Sequence, residues 1–448
     1  MNNLLKAMGF WVWGLIAIGL SASMVSVSFK VLSIYRQHSL SAARSDNSIY
    51  STAETAASAA AIGSGTPTAT SRIAREIASA QNAMQSARWT DALTQLEAAK
   101  SQSPLTAMDE KTINDVMGAV YLRQKNFQAA QSAYEAALAS GQYQAQELVR
   151  VFRLLFQLAA TNRADAKAIE YGKQAADAGS ATDDDLLIMS QLYYQEKDCK
   201  NSGVWGDKAI AAFKKAGQPP KEVLYQLKLQ CASDANDTNA MKASLYDLVR
   251  LTNKISYWNN LIRLERQDER DDHNTLMIYR IMYDTNSMNA DTDYIEMAQL
   301  LGDAGLPGEA QGVLEKAMSA GVLKDEHKER TTRLLNALKT RADSDKKGLP
   351  ALDAEAQKNP AGQLDMKLGE VYFGAGDYQN AATALGRGIG KGQLLQPDEA
   401  YVSLGRSLAA ESDPVGAKQT LAKLKSLPNI SPRVLKLWNL YADMIPIS

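Results

Sequence analysis

Small and large apolar residues alternate with polar residues in a pattern that returns about every 34 residues along most of the chain. In one unit the pattern consists of Met117, Gly118, Tyr121, Phe127, Ala130, Tyr134 and Ala137. In a later unit the same spacing gives Leu368, Gly369, Tyr372, Tyr378, Ala381, Leu385 and Gly388. A period of this length indicates a stack of small structural units rather than one globular core.

Within each unit the spacing predicts two helices packed as a hairpin. Residues three or four apart share a helix face, which places Gly118 and Tyr121 on one helix and Ala130 and Tyr134 on the next. We expect the two small residues to let the helices approach closely, while the tyrosines fill the space around that contact. Residues 124–126 would form the turn between the helices.

These residues and offsets resemble the tetratricopeptide repeat (TPR) family. Further units with the same pattern occupy 80–99, 152–175, 186–209, 294–317 and 401–424. The resemblance covers most of residues 72–428 and implies an all-α fold, a right-handed α-solenoid of TPR-like helix hairpins. The stretches 220–285 and 319–360 are also predicted to be helical but match the pattern poorly.

The predicted domain organisation follows the quality of this match. Residues 71–318 form the N-terminal part of the solenoid, and 319–361 form an irregular helical connection. Residues 362–448 carry the C-terminal repeats, ending in a helix over 432–444 that caps the last unit, as terminal repeats require.

Composition supports an all-α fold and argues against several functions. The alternating Val, Ile and Thr pattern of strands is nearly absent. A net charge of −1 gives no indication of a nucleic-acid binder. The histidines His38, His273 and His327 are far apart, and no Gly-rich phosphate loop, HExxH or Gly-x-Ser-x-Gly motif is evident. We therefore expect no catalytic residues, metal or cofactor, and no enzyme activity.

The N-terminal segment indicates export. Residues 7–29 carry no charge and are flanked by Lys6 and Lys30. Residues 1–30 are either a transmembrane anchor, since the uncharged run is long enough to span a bilayer, or a cleaved signal peptide. Residues 31–70 would form a flexible Ala/Ser-rich linker. Both interpretations place the protein in the periplasm, either secreted there or tethered to the inner membrane.

The TPR resemblance implies that the first helices line a concave groove that binds a protein partner. The residues it places in that groove are Arg123, Arg150, Arg153, Gln157, Gln191, Tyr194, Gln195, Glu370, Phe373 and Arg406. Arg150 and Arg153 are one turn apart, so both could point at one ligand carboxylate. Tyr194 and Phe373 would be aromatic anchors. The alternative is that these are ordinary exposed residues of a helix.

Cys199 and Cys231 are the only cysteines in the chain. In the family's arrangement their regions belong to neighbouring units that pack together, and an exported chain meets oxidising conditions. A disulfide between them is therefore predicted, and two buried thiols are the alternative.

Asp183, Asp184 and Asp185 precede an apolar helical segment. Carboxylates at this place favour the positive end of a helix and cap its free amides. We interpret the run as a helix cap, with a metal site as the alternative.

Residues 100–318 resemble a narrower set of bacterial cell-envelope repeat proteins, through the segments 112–115, 256–258 and 293–299. Some of these proteins are linked to TonB-type energy-transducing systems. The resemblance implies a non-enzymatic protein-binding scaffold in a Gram-negative envelope, tethered to the membrane if residues 1–30 are not cleaved. The first alternative is an assembly factor for envelope polysaccharide or secretion machinery, and an enzyme is a more distant one.

Overall fold

The computed structural model describes residues 73–267, 269–428 and 430–446, and every regular element in these ranges is helical. This confirms the predicted all-α fold of TPR-like hairpins, whereas the handedness of the stack stays a prediction. The predicted N-terminal segment 1–30 and linker 31–70 lie outside the described residues. None of the helices in the described ranges combines the length and apolar character needed to cross a membrane.

The chain divides into two compact units between Ala235 and Asn236, a boundary that the sequence pattern does not mark. The helices of the first unit are α1 Ala74–Gln85, α2 Trp89–Lys100, α3 Ala107–Arg123, α4 Phe127–Ala139, α5 Ala145–Thr161, α6 Asp165–Asp177, α7 Asp183–Gln195, α8 Cys199–Lys215 and α9 Glu222–Asp234. Those of the second unit are α10 Thr238–Thr252, α11 Ile255–Arg266, α12 Asp272–Asp284, α13 Asp291–Asp303, α14 Pro307–Ser319, α15 Asp325–Lys358, α16 Gln363–Gly374, α17 Tyr378–Lys391, α18 Pro397–Ala410, α19 Pro414–Leu421 and α20 Pro432–Met444, with a 3₁₀ turn at Ala422–Ser426.

The hairpins pack through the small residues that the sequence pattern identified. A Cβ atom built on Gly118 would lie 2.6 Å from a ring carbon of Tyr134, and Ala130 is fully buried beside it. The later hairpin α16/α17 repeats this arrangement, since a Cβ on Gly369 would lie 2.5 Å from Cγ of Leu385. Glycine at the first position therefore sets the distance between the two helices of a hairpin.

Each turn inside a hairpin is closed by local backbone bonds. Lys125 takes the left-handed conformation with φ of 59°, and the amide of Asn126 donates to the carbonyl of Tyr121 at 2.9 Å. The side chain of Asn126 then caps α4 by accepting from the amide of Ala129 at 3.2 Å. The predicted turn at 124–126 is thus both the end of one helix and the start of the next.

The predicted irregular connection at 319–361 contains a single long helix, α15, of 34 residues. Its buried residues are Thr331, Leu335, Leu338 and Ala356, and it packs against α14 and α16. So narrow an apolar stripe gives a weak periodic signal, which explains why the sequence indicated irregularity here.

The last helix, α20, packs against α19, but also against α10 and α12. Trp438 is fully buried on it, as are Leu437 and Leu440. Helix α20 therefore contributes to the interior of the second unit in addition to covering the last hairpin.

The structure joins Cys199, the first residue of α8, to Cys231 of α9 by a disulfide, with 5.6 Å between the Cα atoms. The bridge ties the fourth hairpin to the helix that follows it, across a sequence separation of 32 residues. Closing a loop of this length stabilises a fold by about 3.7 kcal/mol in the chain-entropy model.

Two glycines of α17 provide a matched test of the packing. A Cβ on Gly388 would lie 2.9 Å from the carbonyl oxygen of Gly362 and 3.1 Å from Cβ of Asp365, whereas one on Gly386 meets nothing within 4 Å. We expect Gly388→Ala to lower the free energy of unfolding by about 1–3 kcal/mol. Gly386→Ala should raise it by about 0.5–1 kcal/mol, because alanine favours the helix. Urea unfolding followed by circular dichroism would measure both, and equal effects would contradict this helix register.

Candidate functional site

The predicted groove residues all lie on the first helices of their hairpins. In the first unit Arg123 ends α3, Arg150, Arg153 and Gln157 lie on α5, and Gln191, Tyr194 and Gln195 lie on α7. In the second unit Glu370 and Phe373 lie on α16, and Arg406 lies on α18. First helices are also neighbours within each unit, since α1 packs against α3, α7 against α9, and α16 against α18.

Arg150 and Arg153 do not form the predicted joint clamp. Arg150 is exposed, but Nε of Arg153 donates to Oδ2 of Asp185 at 2.7 Å. Nε2 of Gln157 lies 3.4 Å from Oδ1 of the same carboxylate, which is 3% exposed. Asp185 therefore neutralises Arg153, which speaks against a joint clamp of two free charges, and contact of Arg153 with a partner stays a prediction. Arg153 and Gln157 instead tie α5 to the start of α7.

The acidic run at the start of α7 is a helix cap, as predicted. Oδ2 of Asp185 accepts from the amide of Thr182 at 2.9 Å, and the hydroxyl of Thr182 accepts from the amide of Asp185 at 3.2 Å. Among the described residues, no cluster of three or more His, Cys, Asp or Glu side chains has the arrangement of a metal site.

The three predicted residues of α7 differ in their surroundings. Gln195 is exposed, whereas Tyr194 is partly buried, and this burial raises the pKa of its hydroxyl. Nε2 of Gln191 is shielded from solvent without a hydrogen-bond partner in the described part of the chain. Tyr194 and Gln195 are therefore accessible to a partner, whereas the amide nitrogen of Gln191 on the same helix is not.

The three predicted residues of the second unit converge on one cavity of about 630 Å³, which we call the Glu370 cavity. Its walls come from α12, α14, α15, α16, α17, α18 and α20 and from the turns that adjoin them. The charged and aromatic side chains that line it are Tyr283, Asp284, Glu309, Glu315, Asp343, Asp345, Lys346, Lys367, Glu370, Phe373, Tyr378, Arg406 and Tyr441. At Gly308 and Gly374 the backbones of its walls approach so closely that a Cβ on Gly374 would lie 2.8 Å from the nitrogen of Glu309.

Arg406 is a structural residue of this cavity rather than an exposed groove residue, which corrects the prediction. It is 4% exposed. Its Nε and Nη2 donate to the two carboxylate oxygens of Asp284 at 2.8 and 3.0 Å, and Nη1 donates to Glu309. The guanidinium also stacks on Phe373, with 4.6 Å to the ring centroid. These bonds leave it no free charge for a partner.

A second buried arginine, Arg280, was not identified by the sequence pattern. It is 1% exposed and donates to Glu309 at 2.9 Å and to Glu399 at 2.9 Å. The only local signal was a single charge inside the apolar run 276–282, and its partners lie far away in the sequence. Arg280 and Arg406 thus share Glu309 between them, in a buried network that joins α12, α14 and α18.

The charges of this network stabilise one another in the ionised form. Burial opposes ionisation of Glu309, but Arg280 and Arg406 outweigh it and lower the pKa of Glu309 to about 2. The same carboxylates raise the pKa of both arginines despite their burial. Glu309 and the two arginines therefore favour their charged forms in the folded protein.

Glu370 lies beside this network but takes no part in it. Its Oε1 is shielded from solvent and has no hydrogen-bond partner among the described residues. Burial, followed by the nearby charge of Glu399, raises the pKa of Glu370 to about 8. The carboxyl group is therefore mostly protonated at neutral pH, unlike Glu309.

His273 extends the network through α18. Its Nε2 lies 2.8 Å from Oδ2 of Asp398, and this hydrogen bond raises the pKa of the imidazole. Nδ1 lies 4.0 Å from Glu399, which in turn binds Arg280. The arrangement is an ion-pair chain that ties the start of α12 to the start of α18.

Aromatic rings also line the cavity. Phe373 and Tyr378 meet edge to face with 5.2 Å between their ring centroids. Nζ of Lys316 lies 4.0 Å from the ring centroid of Tyr283, and Tyr441 lines the cavity from α20. The Glu370 cavity therefore combines aromatic surfaces, a network of satisfied charges and one unsatisfied carboxyl group.

Comparison with known proteins gives similarity of fold only. No protein-family model and no curated protein matches the sequence. Among solved structures, the chain is similar to one in the Naa15/Naa10 complex bound to HypK-THB, with 14% identity and a TM-score of 0.37 over 81% of this chain and 65% of that one. It is also similar to a tetratricopeptide repeat protein from Parabacteroides merdae ATCC 43184, with 12% identity and a TM-score of 0.27 over 83% of this chain and 99% of that one. A third similarity is to a chain of the APC/C hetero-tetramer Cut9-Hcn1, with 11% identity and a TM-score of 0.22 over 78% of this chain and 72% of that one.

Proposed function

We propose that this protein is a non-enzymatic scaffold that binds protein partners along the first helices of its hairpins, in the periplasm of a Gram-negative bacterium. The observation that carries the proposal is that first helices adjoin one another. Helix α1 packs against α3, α7 against α9 and α16 against α18, and ion pairs join α3 to α5 and α5 to α7. Neighbouring first helices offer a continuous surface built from rigid elements, which suits an extended protein segment.

The chemistry of that surface in the first unit fits a partner with acidic and apolar side chains. Arg150 is exposed on α5 and has no ion-pair partner in the described part of the chain. Tyr194 stands partly buried on α7, with an apolar ring and a polar hydroxyl. Arginine and tyrosine are among the residue types that most often supply binding energy at protein interfaces.

Two features support a location outside the cytoplasm. Residues 7–29 are uncharged, as expected for a signal peptide or a membrane anchor. The disulfide between Cys199 and Cys231 suits an oxidising compartment. A role as an accessory of a TonB-type system is the narrower form of this proposal, and it is based on the resemblance of residues 100–318 to envelope repeat proteins.

The test is affinity capture of the intact protein from cross-linked envelopes, beside an Arg150→Ala/Tyr194→Ala variant. Arg153 stays unchanged because its replacement would leave Asp185 buried without a cation. The control is Lys214→Ala/Lys215→Ala, which removes exposed charge from the second helix α8. We expect specific proteins to be captured by the wild type and the control, and lost with the groove variant. Recovery of the same proteins by all three forms would place binding elsewhere and overturn the proposal.

A further inference from the structure

We propose that the Glu370 cavity binds the side-chain ammonium group of a lysine from a protein partner. The inference rests on the proposed function, in which the partner is a protein, and adds the chemistry that one site would recognise. Three independent features of the cavity lead to it: an unsatisfied carboxyl group, an excess of negative charge and a wall of aromatic rings.

The first feature is the carboxyl group of Glu370 itself. Its Oε1 is buried without a hydrogen-bond partner in the described residues, while neighbouring Glu309 receives bonds from two arginines. A buried acceptor without a donor is unfavourable, so a ligand that supplies the donor gains the energy of satisfying it. The carboxyl group lines the cavity, where a ligand can approach it after rotation of its terminal bond.

The second feature is the balance of charge around the cavity. Besides Glu370, which is neutral in the empty cavity at pH 7, the acidic side chains that line it are Asp284, Glu309, Glu315, Asp343 and Asp345, and Glu315 is paired with Lys339 at 3.0 Å. The basic ones are Lys346, Lys367 and Arg406, and Arg406 is already neutralised by Asp284 and Glu309. The remaining imbalance favours a cation over an anion or a neutral group.

The third feature is the set of aromatic rings. Phe373 and Tyr283 already carry cations on their faces, at 4.6 Å from Arg406 and 4.0 Å from Lys316. Tyr378 and Tyr441 line the same cavity. Ring faces attract an ammonium group, and they also pack against the methylene chain that carries it.

The geometry favours lysine over arginine. A guanidinium group binds best in a flat fork that uses both oxygens of a carboxylate, as Arg406 does with Asp284. Oε1 of Glu370 is shielded from solvent without a partner in the described residues, and so confined an acceptor suits the compact ammonium group of lysine. A volume of about 630 Å³ is ample for one lysine side chain with the backbone that bears it.

Binding of an ammonium group would release a proton. The charged and titratable groups that face Glu370 are Glu399, Arg280, Glu309 and Lys367, with His273 behind Glu399. In this setting the pKa of Glu370 is raised to about 8, so the empty cavity holds a neutral carboxyl group at pH 7. An incoming ammonium group favours the carboxylate, and the proton leaves to solvent. Affinity should therefore rise about tenfold per pH unit up to about pH 8, while the lysine remains charged.

The test uses the full chain in detergent and N-acetyl-lysine methylamide as the probe, measured by isothermal titration calorimetry. The norleucine analogue has the same chain without the charge, and the arginine analogue tests the choice of cation. We expect the lysine probe to bind at least about tenfold more tightly than either analogue. Titrations in two buffers with different ionisation heats should show release of nearly one proton at pH 7 and much less at pH 9.

Two variants make the outcome decisive. Glu370→Gln keeps the shape of the protonated side chain and should lose both probe binding and proton release. Glu329→Gln removes an exposed carboxylate from α15, outside the cavity, and should behave as the wild type. Three results would each overturn the proposal: the norleucine analogue binds as tightly as the lysine probe, the Glu370→Gln variant still binds the lysine probe, or the affinity for that probe does not change with pH. If the wild type captures its partners but does not bind the lysine probe, this inference alone is overturned. If the wild type binds the probe but captures no partner, the scaffold proposal is overturned.

Discussion

Replacement of Arg280 by alanine is expected to lower the free energy of unfolding by about 3–5 kcal/mol. The side chain is 1% exposed and neutralises Glu399 and part of the charge of Glu309. Its removal leaves the buried Glu399 with no cation nearer than His273, 4.0 Å away, and this cost far exceeds the loss of packing alone. Urea unfolding followed by circular dichroism would measure the change.

The controls for Arg280 separate charge from packing. Arg333→Ala breaks an exposed pair with Glu329 on α15, and it should change stability by less than about 0.5 kcal/mol. The double variant Arg280→Leu/Glu399→Leu removes both charges, so it should recover much of the stability lost by Arg280→Ala. A loss below about 1 kcal/mol for Arg280→Ala would mean that the network is not sealed from water.

The pH dependence of stability is expected to change when Glu370 is replaced by glutamine. The pKa of Glu370 is about 8 in the folded protein, against 4.5 for an unperturbed glutamate. The folded state therefore binds more protons than the unfolded chain between these values, and stability falls as pH rises through this window. Glu370→Gln cannot ionise, so it should match the wild type near pH 5 and exceed it near pH 9 by up to about 4 kcal/mol.

Thermal or urea unfolding from pH 5 to pH 9 would reveal this difference. His273 also loses stabilisation as pH rises through its raised pKa, but it does so equally in both proteins, so the difference between the two curves isolates Glu370. Parallel curves would show that Glu370 ionises freely in the folded protein. The proton linkage inferred for lysine binding would then lose its basis.

The hairpins could be predicted from the sequence because their contacts are local. Gly118 meets Tyr134 within one hairpin, and the turn between them is closed by bonds from Asn126 to its near neighbours. The spacing of small and large residues along the chain therefore contains the geometry directly. The cap at Thr182 and Asp185 was predictable for the same reason.

The role of Arg406 could not be predicted in this way. Its position in the repeat implied a groove residue, yet it binds Asp284, which lies 122 residues earlier. Arg280 likewise binds Glu399 across 119 residues. Nothing in a repeat pattern specifies which distant hairpins meet, so the pattern cannot tell a buried arginine from an exposed one.

The first unit shows the same limit on a smaller scale. Arg150 and Arg153 are one turn apart, and the sequence treats them alike. Their surroundings differ because of Asp185 on the next hairpin. Asp185 accepts a hydrogen bond from Arg153 at 2.7 Å, whereas Arg150 stays exposed. A single contact between neighbouring repeats thus decided which of the two charges remains available to a partner.

By itself the sequence determined the helical hairpins, their turns and their caps, since these depend on residues a few positions apart. The tertiary structure alone decided that Arg280, Arg406 and Glu309 form a buried network and that Glu370 stands beside it without a donor. The physical reason is that burial and ion pairing depend on which helices meet in space. Because the repeats share a similar pattern, the side chains at the interfaces between them determine which helices meet.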